Sequence, residues 1–162
     1  MKLTQFFEKL KRVLNGGMYS VKDLRDREMT IGENCHIYTN QIDIPHAYLI
    51  SIGNNVTISN ARILAHDGST KKILGYSRVG RVDIGDDVFI GAGAVVTRDI
   101  PDNSVAVGSP ARVVGTYDDF VKKNTALMEK TPIQKTHYSV KTAEEKRQMK
   151  ESLKVSGWGF DA

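Results

Sequence analysis

Cysteine is nearly absent from this chain of 162 residues, in which Cys35 is the single example. One cysteine excludes an internal disulfide and argues against an oxidising compartment, so we expect a cytoplasmic protein. The four histidines are scattered along the chain and do not form, with Cys35, the spaced cluster that is typical of a zinc site. We therefore expect no metal and interpret Cys35 as a small core residue.

Long apolar runs and dense basic tracts are also missing. No run is long enough to cross a membrane, and charged residues interrupt the apolar residues near Met1, so neither stable membrane insertion nor a signal peptide is predicted. The formal net charge of +4 is mild. It is compatible with an anionic ligand such as a phosphorylated cofactor, but the lack of a Lys/Arg tract argues against nucleic-acid binding.

A repeat of six residues is the strongest pattern in the sequence. Branched aliphatic residues recur at one phase, and several are followed directly by glycine, as in Ile84-Gly85 and Ile90-Gly91. This period fits neither an amphipathic helix nor an ordinary hairpin, and it is typical of a hexapeptide solenoid, one of the parallel β-helix repeats. The residues in phase are Ile31, Ile37, Ile52, Ile58, Leu64, Ile84, Ile90 and Val96.

Each hexad predicts one short strand with one aliphatic side chain pointing inwards, and three hexads complete a coil of about eighteen residues. Glycine is expected after the aliphatic residue because it tolerates backbone angles that a Cβ opposes. Stacked coils bury a continuous aliphatic column, which no single coil can do alone. Three unrelated strand–turn units in an antiparallel sheet are the alternative, and they account less well for the shared phase.

The repeat divides the chain into three segments. Residues 1–30 are predicted to form an N-terminal helical cap, residues 31–115 the coils, and residues 116–162 a C-terminal helical extension. The period is broken twice, by an excursion around residues 41–49 and by a protruding loop over residues 65–82. Insertions in repeat proteins gather on one face, often the binding face.

Helical spacing of apolar residues appears only outside the coils. The first predicted helix is basic and amphipathic, so it fits a cap over the open end of the coils and also fits a membrane surface. The last is opened by Thr142 and Glu145, which form a capping box. The predicted helices cover residues 3–14, 21–29, 117–130 and 142–154.

The most regular stretch, residues 82–96, continues into Thr-Arg-Asp-Ile-Pro-Asp-Asn-Ser and then Val-Ala-Val-Gly-Ser-Pro-Ala-Arg, which ends at Arg112. These motifs resemble the hexapeptide-repeat acyltransferases, and residues 43–50 and 63–67 are similar to the branch of sugar O-acetyltransferases from bacterial polysaccharide clusters and maltose acetyltransferases. The resemblance covers about residues 18–115. It implies a mainly β fold, a left-handed parallel β-helix with an N-terminal helical cap and C-terminal helices, assembled as a homotrimer with active sites between subunits.

The resemblance also implies a reaction. In such enzymes a loop histidine, here His66, takes the proton from an acceptor hydroxyl, whose oxygen then attacks the acetyl-CoA thioester directly. Asp43 interrupts the aliphatic period in the preceding coil and is our candidate to orient the other ring nitrogen of His66. His46 and Asp67 are candidates for the acceptor pocket, although each also fits a simple turn.

Acetyl-CoA is the implied acyl donor, bound between coils without a metal, and the acceptor is a small molecule or a glycan. The arginines suit the anionic groups of the donor, although solvated surface charges are the alternative interpretation. The implied cofactor-binding residues are Gly91, Ala92, Gly93, Thr97, Arg98 and Arg112.

One departure from the family pattern is that Val96 runs straight into Thr97. Similar enzymes carry another complete coil at this point. Its omission keeps the stacking phase but shortens the cofactor groove by about 5 Å, the spacing of neighbouring strands. A non-catalytic solenoid scaffold is therefore the second hypothesis.

Two other functions share this fold or this chemistry. A zinc carbonic anhydrase needs three histidine ligands at each site, and no second histidine follows His66 within the loop, which argues against it. Serine or chloramphenicol as acceptor instead of a saccharide stays open, because the acceptor is not determined by these motifs.

Overall fold

A computed structural model describes residues 17–162. The helix predicted over residues 3–14, and its role as a cap, lie outside the described residues. The described residues divide into two compact units, residues 17–117 and residues 118–162.

A short helix, α1 (Val21–Arg25), precedes the first strand of the first unit. Its N-terminus is fixed by a capping box, in which the Ser20 hydroxyl accepts from the backbone N–H of Asp23 and the Asp23 carboxylate accepts from the backbone N–H of Ser20. The helix ends before the predicted limit at residue 29, because Glu28 has a φ of 66° and turns the chain out of the helix.

The strands of the first unit pair mainly in parallel. The sheet orders are β1-β3-β8, β5-β10 and β2-β4-β9-β11, and β12 returns antiparallel along β11. Successive passes of the chain add a strand to each sheet in turn, so the alternative of an antiparallel sheet is wrong. The strands are β1 (Thr30–Ile31), β2 (His36–Tyr38), β3 (Ile50–Ile52), β4 (Thr57–Ser59), β5 (Arg62–Ile63), β6 (His66–Asp67), β7 (Arg78–Val79), β8 (Val82–Ile84), β9 (Val88–Ile90), β10 (Val95–Val96), β11 (Ser104–Val107) and β12 (Arg112–Gly115).

Three columns of apolar side chains form the core between these sheets. Partners in a column stand directly opposite each other in the parallel registers, so their buried side chains stack from pass to pass. Burial of each large aliphatic side chain stabilises the fold by about 1.5–3 kcal/mol. The columns are Ile31, Ile52, Ile84 and Ile100; Ile37, Ile58, Ile90 and Ala106; and Ile42, Ile63 and Val96.

The assignment of Leu64 to the core is wrong by one residue. Ile63 is fully buried and pairs with Val96, whereas Leu64 is only partly buried. The turn between Ile58 and Ile63 is one residue shorter than the turn between Ile90 and Val96. In the shorter turn, a single residue separates Ile58 from Asn60, the turn residue with a positive φ of 41°. In the next pass two residues separate the equivalent positions, Ile90 and Gly93.

Three of the four Ile-Gly pairs, those at Gly32, Gly53 and Gly85, arise for a reason other than the predicted one. Gly53 does not have a positive φ; instead, a Cβ on Gly53 would lie 2.7 Å from the carbonyl carbon of Gly85 and 2.8 Å from the Asp86 nitrogen in the next pass. Glycine is therefore required by close approach of successive turns. The left-handed conformation occurs two residues later, at Asn55 (φ 56°) and Asp87 (φ 54°), which are residue types that tolerate it.

Both breaks in the period are ordered segments. A 3₁₀ helix, Ile44–Leu49, fills the first. The second contains β6 and β7, paired antiparallel, with helix α2 (Lys71–Leu74) between them. Val82, assigned to the loop by the sequence, is the buried first residue of β8.

The pass that begins after Val96 stacks directly on the one before it. β11 pairs in parallel with β9, and Ile100 bridges to Ile84, sixteen residues earlier. The stacking phase is thus retained across the direct passage from Val96 into Thr97.

The second unit contains helices α3 (Tyr117–Met128) and α4 (Ala143–Ser156), a second 3₁₀ helix (Tyr138–Val140) and the parallel pair β13 (Ile133–Gln134) and β14 (Phe160–Asp161). The capping box of Thr142 and Glu145 is confirmed. The sequence did not predict β14. Among the described residues, no helix has the length and apolar character needed to cross a membrane.

Gly53→Ala should destabilise the first unit by about 1–3 kcal/mol, because the added methyl group meets backbone atoms of Gly85 and Asp86 in the next pass as well as the Asp86 carboxylate, and the backbone atoms cannot move aside. Gly115→Ala is the matched control, since a Cβ there meets nothing within 4 Å. Urea denaturation of both variants tests the difference. Equal stability of the two would contradict the close-approach explanation.

Glu145 gives a prediction on pH. Hydrogen bonds from the Thr136 hydroxyl (2.7 Å) and the backbone N–H of Thr142 (2.8 Å) lower the pKa of its carboxyl to about 2. Because the folded-state pKa is below the ordinary value of 4.5, this contribution to stability is complete above about pH 4.5 and is lost as the pH falls towards 2. NMR titration should give a midpoint near 2 that rises in Thr136→Val. A midpoint near 4.5 in the unchanged chain would refute the lowered pKa of Glu145.

Candidate functional site

Three turns emerge from the core at the same corner of the first unit. Ile42, Ile63 and Val96 form one column, so the residues that follow each of them lie at successive levels. We call residues 43–49, 64–81 and 97–99 the site corner. It contains both inserted segments and six of the ten candidate site residues.

Asp43 is the first residue of the site corner, and its side chain is only 1% exposed. The bridge between Ile42 and Ile63 places it beside the chain that leaves Ile63. Its Oδ2 accepts a hydrogen bond from the backbone N–H of Ala65 at 3.1 Å. A buried carboxylate requires such donors, because burial without partners is strongly unfavourable.

Two histidines complete the set of donors to this carboxylate. His66 Nδ1 lies 2.5 Å from Asp43 Oδ2, and His46 Nδ1 lies 3.2 Å from Asp43 Oδ1. The two imidazole rings are 4.7 Å apart between centroids. The structure therefore brings the two predicted catalytic residues into contact and adds His46 to the same carboxylate.

The pKa of Asp43 is the balance of opposing effects. Burial raises it, but the hydrogen bonds from His66, His46 and the Ala65 N–H together outweigh burial and leave the pKa below its ordinary value. Asp43 is thus ionised at neutral pH and can only accept hydrogen bonds. The network assigns the proton of neutral His66 to Nδ1, which leaves a free lone pair on Nε2.

His66 also lines a cavity of about 580 Å³, and its side chain is 36% exposed. Asp67, Thr97 and Arg98 line the same cavity, so four of the candidate site residues meet there. Thr97 and Arg98 reach it because β10, which precedes them, pairs with β5, which precedes His66. A hydroxyl compound bound in this cavity would lie beside His66.

Asp67 has a local role in the chain. Its Oδ1 accepts from the backbone N–H of Ser69 at 2.9 Å, and this contact is the main reason that its pKa is lowered. The side chain therefore turns the loop while it lines the cavity, and both sequence-based interpretations fit its position.

The other predicted cofactor residues are outside the cavity lining. Gly91, Ala92 and Gly93 form the turn between β9 and β10, and Arg112 begins β12, where its guanidinium donates to the Ala111 carbonyl at 2.8 Å. Within one chain, these four residues are not brought together with His66.

Sequence reasoning missed two arginines of the cavity, Arg78 and Arg81. Arg81 pairs with Asp83 at 2.7 Å, and Arg78 is near enough to Asp67 to lower its pKa. The available signal was the position of both residues at the end of the inserted segment, which returns to the core beside its starting point. The shared role of His46 was signalled by its spacing of three residues from Asp43.

No family model matches this chain. The chain is 39% identical over 74 residues to the galactoside O-acetyltransferase of Escherichia coli (strain K12), a match that covers 46% of this chain and 30% of that protein. It is 32% identical over 99 residues to Protein CapG of Staphylococcus aureus, covering 47% of this chain and 58% of that protein. Less than two thirds of either relative is therefore spanned.

Among solved structures, a maltose O-acetyltransferase from Clostridium difficile 630 is 24% identical, with 69% of this chain and 84% of that chain covered. The TM-score is 0.40, which is too low to establish a shared fold.

Asp43→Ala should lower the free energy of unfolding by about 1–3 kcal/mol, because the Ala65 N–H and both histidines lose their acceptor. Asp67→Ala is the control, since this exposed side chain loses a hydrogen bond with Ser69 and solvent-screened interactions with Arg78 and His66, and it should change stability by no more than about 0.5 kcal/mol. Thermal and urea denaturation measure both. If Asp43→Ala were as stable as the control, the hydrogen-bonded carboxylate would not be a structural requirement.

Proposed function

We propose, on the resemblance of the motifs to the hexapeptide-repeat acyltransferases and on the similarity to a galactoside O-acetyltransferase, that this chain is an acetyl-CoA-dependent O-acetyltransferase acting on a saccharide hydroxyl. The observation that carries the proposal is His66, held by the buried carboxylate of Asp43 at 2.5 Å and lining a cavity. This is the arrangement of a general base and its orienting group.

The proposed reaction is a direct transfer. The acceptor hydroxyl gives its proton to Nε2 of His66 while its oxygen attacks the thioester carbonyl carbon of acetyl-CoA. The carbon–sulfur bond then breaks, and the thiolate of CoA takes the proton back from His66. Asp43 keeps the imidazole in the correct tautomer and stabilises the positive charge that forms on it. No metal takes part in these steps.

Binding of the donor is proposed at the residues that the motif indicated. Arg98 is exposed in the cavity, where it suits a phosphate, and Thr97 flanks the acyl arm. Gly91, Ala92, Gly93 and Arg112 lie away from His66 in one chain, so they suit the site of a neighbouring copy. This supports a homotrimer with sites between subunits.

We also infer that the three parallel sheets are the faces of a left-handed parallel β-helix. The aligned registers and the three buried columns support the helix, and the resemblance supplies its hand. The single cysteine favours the cytoplasm as the compartment.

The competing proposal is a non-catalytic scaffold. It is favoured by one observation, the direct passage from Val96 into the last pass, because the resemblance implies another complete coil at this point and therefore a longer cofactor groove. Cofactor binding separates the two functions.

Calorimetric titration with acetyl-CoA, with CoA as the product control, should give saturable binding. In assays with a panel of saccharides, His66→Ala should keep that binding and lose roughly 10²–10⁴-fold in kcat, the usual contribution of a positioned base. His36→Ala is the control, because this exposed histidine on β2 lies outside the cavity and should not change the rate. If the folded protein does not bind acetyl-CoA at millimolar concentration, the enzyme proposal is refuted and the non-catalytic scaffold is favoured.

A further inference from the structure

Residues that are far apart in the sequence form a set of possible metal ligands at the site corner. One ligand atom from each of Asp43, His46 and His66 lies within 4.8 Å of the other two. In the part of the chain that the structure describes, this is the one group of three such side chains. It did not appear in the sequence as a metal motif, because the inserted segments bring the histidines together.

The donor set is that of a transition-metal site. Two imidazoles and one carboxylate suit Zn²⁺, which is held by three protein ligands and a water in many open sites. We propose that Asp43, His46 and His66 bind one Zn²⁺ ion per chain, and that the bound ion inhibits the base. The site does not depend on the proposed function, whereas the inhibition does.

The distances require only a local adjustment. Zinc binds nitrogen and carboxylate oxygen at about 2.0–2.2 Å, so neighbouring ligand atoms of a tetrahedral site are roughly 3.3 Å apart. His46 Nδ1 and Asp43 Oδ1 are already 3.2 Å apart. His66 Nδ1 lies 2.5 Å from the other carboxylate oxygen, Oδ2, so it must move outwards to admit an ion. Its ring is at the start of an inserted segment, and its side chain is partly exposed.

Inhibition follows from the ring tautomer. An ion on Nδ1 replaces the proton that now lies between His66 and Asp43, and the neutral ring then carries its proton on Nε2. That nitrogen becomes a hydrogen-bond donor and can no longer accept the proton of a hydroxyl. Zinc would thus bind Nδ1, the atom through which Asp43 orients the His66 ring, and would not contact the acceptor.

Calorimetric titration of the EDTA-treated, dialysed protein with ZnCl₂ should show one site per chain. His46→Gln should weaken it by at least about 100-fold, because loss of even an outer-shell partner costs 10–100-fold. His36→Gln is the matched control and should bind as the unchanged chain does, since His36 stacks on Tyr38 away from this group. Visible absorption of Co²⁺ in the same variants reports ligation independently of activity.

Absence of stoichiometric Zn²⁺ binding, or equal affinity of His46→Gln and His36→Gln, would overturn the site. The test uses His46→Gln because His46 is partly exposed, whereas Asp43 is buried and a substitution there also disturbs the fold. Zinc binding without acetyl-CoA binding would refute the proposed function alone. Transfer activity that is insensitive to bound zinc would refute the inhibition alone.

Discussion

Parallel hydrogen bonding between successive passes of the chain holds neighbouring strands about 4.8 Å apart, and the residue types of the first unit follow from that spacing. At one corner the backbones come so near that only glycine fits, as between Gly53 and Gly85. Two residues later the chain must turn with a positive φ, and Asn55 and Asp87 provide it. The apolar columns then stack in register because the ladder allows no other alignment.

The candidate site depends on the same register. Ile42 bridges to Ile63, so the residues just beyond them, Asp43 and the segment that starts at Leu64, leave the core side by side. The backbone N–H of Asp43 donates to the Ile63 carbonyl at 3.0 Å, and the Ala65 N–H donates back to the Asp43 carboxylate at 3.1 Å. The contact of Asp43 with His66 thus joins two levels of the ladder.

Much of the fold was predictable from the sequence, because each period of six residues corresponds to one strand and its turn. Seven of the eight aliphatic residues in phase are buried as predicted, and the protruding segment was also found from spacing. Asp43 was found because the period of six breaks at that residue, although in the structure Ile42, one residue earlier, holds the column position. The error at Leu64 arose because the turn after Ile58 is one residue shorter than the turn after Ile90, and a fixed period cannot detect such a change. His46, Arg78 and Arg81 were missed as partners because their positions depend on how the inserted segments return to the core, which spacing within each segment does not report.

The corners of the repeat differ in how much sequence change they tolerate. At the corner that contains Gly32, Gly53 and Gly85, a side chain would meet the next turn, so chain length and residue type are both restricted. The site corner already contains a 3₁₀ helix in residues 43–49, a longer inserted segment in residues 64–81 and a short turn in residues 97–99. Insertions and substitutions at the site corner can therefore change which ligand the protein recognises, while the three columns stay the same. Within each pass, the glycine corner thus keeps the scaffold constant, and the site corner is free to vary in specificity.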